Sequence, residues 1–107
     1  MSLDVTLVDD KNEEVFSANI THDLGKMASE AGIYTCLWRP DEIGATIASD
    51  ITDQLARGFT YMCMNPTHYK TFDAPNGWGT YENFLPWVAK YLEACKNYPD
   101  ASIEISR

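Results

Sequence analysis

The residues best suited to chemistry are two histidines, three cysteines and two tryptophans set beside turn residues. His22, followed by Asp23, and His68 could ligate a metal or move a proton, because imidazole and carboxylate are the usual groups for both tasks. Forty-five residues separate them with no ligand spacing between. Structural roles are the simpler expectation: His22 near a helix N-terminus and His68 in a connecting turn. A cysteine nucleophile needs a base and a positive environment. Cys63 lies between Met62 and Met64, and Cys95 falls on an apolar helical stripe, so both are expected in the core. Cys36 has no histidine near it in sequence.

The segment Asn76-Gly77-Trp78-Gly79-Thr80 is the richest candidate. Glycines let the backbone approach a ligand closely. A helix starting at Thr80 would offer free N–H groups to an anion, and Trp78 would add a flat apolar face. The simpler reading makes the loop a structural turn with Trp78 anchored in the core. Trp38-Arg39-Pro40 is the second candidate, since Trp and Arg are enriched at binding hot spots. Here too the simpler reading is a core tryptophan followed by an exposed arginine. His22, Trp38, Arg39, Asn76, Trp78 and Thr80 are therefore the candidate binding residues. No phosphate loop, nucleophile elbow, zinc spacing or calcium loop is present. No catalytic residue, metal or cofactor is expected.

Positioning these residues requires a folded scaffold, and 107 residues suffice for one domain spanning 1–107. Leu3, Val5 and Leu7 alternate with Asp4 and Thr6, the signature of a half-buried strand. A polar turn, Asp9 to Glu14, leads to a second strand over Val15–Ile20, predicting a hairpin. Ile20, Leu24, Met27, Ala28 and Ala31 then share a helical stripe that Gly32 ends. Ile43, Ile47, Ile51, Leu55 and Phe59 recur every four residues, predicting a helix from Pro40-Asp41 to about Met64, with a break possible at Gly58. One short helical turn is expected over Pro66–Phe72. A last helix follows Thr80, starting at Asn83 or kinked at Pro86. Ala101–Ser106 alternates as a final strand. The expected architecture is α+β: a small two-layer domain in which the C-terminal strand joins the hairpin in a three-stranded antiparallel or mixed sheet. Three main helices cover one face. Most of the aromatic residues from Tyr61 to Tyr98 are expected to fill the core.

Sixteen acidic residues against eight basic ones give a formal charge of −8. The cations are scattered, with no basic patch of the kind that nucleic acid or an anionic membrane requires. Neither partner is expected. The acidity suits solubility and, more sharply, attraction to a basic protein partner. The chain has no apolar run approaching the ~20 residues of a membrane span, and its first residues already read as strand rather than signal peptide. The expected location is the cytoplasm, which accords with an odd number of unpaired cysteines.

The stretch Asn19-Ile20-Thr21-His22-Asp23-Leu24-Gly25-Lys26-Met27-Ala28, the Leu37-Trp38-Arg39-Pro40 turn and Asn76-Gly77-Trp78-Gly79 together resemble a group of short hypothetical proteins of bacterial or phage-related origin. The resemblance spans nearly the whole chain. It implies a cytoplasmic setting and carries over no activity, substrate or catalytic residue. Two functions of different kinds are therefore expected to compete. The first is a non-enzymatic binding or accessory protein, such as an acidic inhibitor or immunity-type partner of a basic protein. The second is a small enzyme or ligand-binding domain with a site near His22, His68 and the Asn76–Thr80 loop. Convergence of those three regions in one pocket would favour the second.

Overall fold

The computed structural model describes all 107 residues. Strand β1 (Ser2–Val8) is central in an antiparallel sheet, between β2 (Glu14–Thr21) and β3 (Ser102–Ser106). The hairpin and the closing C-terminal strand are as the alternation predicts. Leu3, Val5 and Leu7 lie on the buried face, while Ser2, Asp4 and Thr6 face outward. Five helices complete the α+β domain: α1 (Gly25–Glu30), α2 (Tyr34–Trp38), α3 (Thr52–Met64), α4 (Pro66–Lys70) and α5 (Tyr81–Asn97). One continuous core joins the sheet to the helices, with Leu37, Ile51, Leu55, Phe84, Val88 and Tyr91 fully buried between them.

The predicted helix over residues 41–64 is broken in two. Pro40–Ile43 form a single 3-10 turn, and Gly44 reverses the chain at φ +71°. The Asp50 carboxylate then accepts the N–H groups of Thr46 and Ile47 at 2.9 and 3.1 Å, so those donors are lost to a helix. The same bonds hold Asp50 below the usual carboxylate range. Ile43 is consequently exposed and Ile47 half-buried, while Ile51, just before α3, and Leu55 and Met62 on it keep their inward places. Gly58 does not interrupt α3. A Cβ there would overlap Ile33 Cγ2, so the glycine lets the helix cross Ile33 closely.

The predicted stripe from Ile20 to Ala31 is also divided. Ile20 belongs to β2, His22–Leu24 form a 3-10 turn capped by the Thr21 hydroxyl, and α1 follows. Helix α5 begins at Tyr81 rather than Asn83 and carries Pro86 in its interior. Cys63, expected in the core, is exposed on α3, whereas Cys36 and Cys95 are buried. Tyr61, Trp78 and Tyr98 likewise leave the aromatic core for the surface. No helix is long and apolar enough to cross a membrane.

Candidate functional site

The loop between α4 and α5 is short and polar, and its own side chains hold it. Asp73 Oδ1 accepts the Tyr81 N–H at 2.7 Å, and the Ala74 N–H donates to the Gly79 carbonyl at 2.8 Å. Gly77 turns the chain at φ +76°. Asn76 works in both directions: its Oδ1 accepts the Trp78 N–H at 2.9 Å, and its Nδ2 donates to Asp23 Oδ2 at 3.2 Å. Gly79 is the buried residue of the loop. A Cβ on it would lie 3.1 Å from Asp23 Cβ and 3.3 Å from Leu24 Cγ, so the backbone seats directly on the turn after β2.

Seating Gly79 inward leaves Trp78 pointing out, 75% exposed. The core-anchor expectation for Trp78 is thus overturned: the smallest residue of the loop anchors it, and the largest is displayed. Thr80 caps α5, its hydroxyl accepting the Asn83 N–H at 3.3 Å. With Asp73 on Tyr81, two of the donors an anion would use are already occupied, and a carboxylate stands beside them.

Trp38 has the opposite fate. It is 2% exposed and stacks on Tyr34 with ring centroids 5.2 Å apart. Its indole N–H donates to His22 Nδ1 at 2.8 Å, and its carbonyl accepts from Arg107 Nη1 at 3.0 Å. The first bond requires an unprotonated Nδ1, which places the proton of neutral His22 on Nε2. Arg39 stays at the surface, paired with Glu42 at 3.1 Å. His68 bonds Glu30 at 3.0 Å and meets the rings of Tyr69 and Phe72 edge-on, tying α4 to α1.

Two open grooves flank the Trp78 loop. The first, about 460 Å³, runs between the loop and the end of β2, bordered by Asn19, Ile20, Thr21, Asp23, Trp78 and Asn83 among others. The second, about 570 Å³, lies on the other side of Asp23, bordered by His22, Lys26 and residues 71–75. His22 therefore shares a groove with residues 71–75 but not with the Asn76–Thr80 segment. His68 borders neither, so the three regions do not meet. Within the second groove no hydrogen bond links His22 to Asp23, Asp73 or Thr71, and the Thr71 hydroxyl donates to the His68 carbonyl at 2.6 Å. No three His, Cys, Asp or Glu side chains converge closely enough to hold a metal ion.

Sequence reasoning named Asn76, Trp78 and Thr80 but passed over Asp73, Asn83 and the Ile20–Thr21 wall. Asp73 carried no local signal, since the N–H it accepts belongs to Tyr81, eight residues on and beyond the two-residue reach of an Asx turn. The groove walls carried none, because they arise where distant segments meet. No protein-family model, curated protein or solved structure matches the chain.

Proposed function

We propose that the protein is a non-enzymatic binding protein that docks a basic protein partner through Trp78 and the groove beside it. The observation carrying this reading is the exposed Trp78 ring on a loop pinned by hydrogen bonds within it and to Asp23. A large aromatic ring displayed on a backbone already pinned by hydrogen bonds can bury apolar area on docking without ordering the loop. Asp23, on the groove wall, supplies a negative charge next to the ring, and the net charge of −8 attracts a cationic partner from a distance.

The reading is tested by differential capture. Wild-type protein and Trp78→Ala, immobilised equally, are exposed to an extract of the source cell. A basic protein retained by the wild type, lost from the variant and released by raised salt is expected. Identical retained sets on the two surfaces would contradict the proposal.

The enzyme alternative draws on the second groove, where His22 and Asp73 face a common space. It is disfavoured because His22 Nδ1 is occupied by Trp38 and no carboxylate orients the ring.

A further inference from the structure

The two edges of the sheet are finished differently. Along β3 the segment before α3 closes the edge. The Ile103 N–H donates to the Thr46 carbonyl at 3.0 Å, the Ala48 N–H donates to the Ala101 carbonyl at 2.9 Å, and Ile47 bridges Ser102. No segment closes β2, the outer strand on the other side. Its bonding phase follows from the His22 N–H bonding the Met1 carbonyl and from the register Leu3–Ile20 and Val5–Ala18. Bonded pairs alternate in an antiparallel ladder, so Ser17, Asn19 and Thr21 direct their N–H and C=O groups away from β1. Natural edges of this kind are blunted by lysine, proline or a covering segment. From Val15 to Thr21 the strand has neither charge nor proline.

The geometry points to a second copy of this chain as the occupant of that edge: β2 pairs with β2 across a two-fold axis at Ala18, making one six-stranded sheet. The register is self-complementary. Ser17 meets Asn19 of the second copy on the polar face, and Phe16 meets Ile20 on the apolar face. The strand's one acidic residue, Glu14, is kept roughly 25 Å from its own copy at the rise of a β-strand. The seam between β2 and α5 is open at two places that fit this pairing. The groove at Ile20 and Asn83 lies where the second copy's Phe16 arrives. The groove bordered by Phe16, Lys90, Glu93 and Ala94 lies where its Ile20 arrives. The interface is isologous, as two-fold association demands. It takes up the Ile20–Asn83 end of the groove assigned above to the basic partner, so the two readings meet there and are told apart by their opposite dependence on salt.

Each copy carries a charge of −8, so the association strengthens as salt rises, opposite to docking of a basic partner. Sedimentation equilibrium of the full chain tests the proposal. Wild-type protein is expected to form a dimer whose dissociation constant falls with added salt. Ser17→Lys combined with Asn19→Lys puts like charges opposite each other across the axis and is expected to raise that constant at least tenfold, although it lowers the net charge. Ser17→Lys combined with Asn19→Glu puts opposite charges there and is expected to match or tighten the wild-type dimer. Both pairs lie on the solvent face, and circular dichroism checks that each variant folds. Ser17→Pro, which removes an outward N–H without touching the β1 ladder, is expected to abolish the dimer. A wild-type chain monomeric up to about 1 mM, the weak end of specific affinity, would overturn the proposal. So would a dimer equally stable in the two charge variants.

Discussion

Trp38 and Trp78 are the same residue in similar sequence settings, each beside a proline or glycine turn and a helix terminus, yet the structure uses them in opposite ways. Trp38 lies on α2 where Tyr34 covers its face and His22 receives its N–H. Every part of its amphipathic ring is matched, so burial costs no unpaired donor. Trp78 sits one residue before Gly79, and Gly79 takes the buried place against Asp23 and Leu24. The loop is satisfied without the indole. The lesson is that a tryptophan is an anchor when its neighbours complete both its face and its N–H, and a display when a smaller residue has already made the contact.

The largest expected effect falls on the anchor. Trp38→Ala should destabilise the fold by about 3–5 kcal/mol, the range for deleting a buried aromatic, read from chemical denaturation. A loss under about 0.5 kcal/mol, typical of a surface position, would erase the contrast. Removing only the acceptor sharpens it. His22→Ala strands the buried Trp38 N–H, and about 1–3 kcal/mol should be lost. An unchanged midpoint would show that the His22–Trp38 bond contributes nothing to stability.

Thiols report the same division without touching either ring. Burial, aided by neighbouring Cys95, pushes the Cys36 thiol up to about 12, and burial alone pushes Cys95 up to about 12. Cys63 is exposed. Thiolate is the reactive form, so a soluble alkylating reagent at neutral pH should modify Cys63 and spare the other two until the protein unfolds. Modification of Cys36 in the native state would mean that the region around Trp38 opens readily.

What the sequence disclosed follows the same physics. The strands were legible because alternation in Leu3–Leu7 and Ile103–Ile105 is a local imprint of one buried face. The cap of α5 was legible in the Thr80 hydroxyl, while Pro86 left the first helical residue open between Tyr81 and Asn83. The isoleucine spacing over residues 43–51 misled, since Gly44 and the Asp50 carboxylate decide that backbone while Ile47 answers to β3. For the candidate site, the loop residues announced themselves through turn chemistry. Whether Trp78 pointed in or out did not, because Asp23 and Leu24, about fifty positions away, settle it. Likewise nothing local in Ser17-Ala18-Asn19 states that no segment will cover β2.

The smallest stability effect belongs to Trp78 itself, and it leads to the most direct test of its role as a docking surface. Trp78→Ala should change stability by no more than about 0.5 kcal/mol, so that any loss of binding is separated from loss of fold. With that equivalence established by thermal melts, the decisive measurement is retention of a basic protein by wild type and by Trp78→Ala on matched surfaces. The account predicts retention by the wild type alone, from two proteins of equal melting temperature. A Trp78→Ala variant that melts far lower, or that retains the same protein as the wild type, would contradict it.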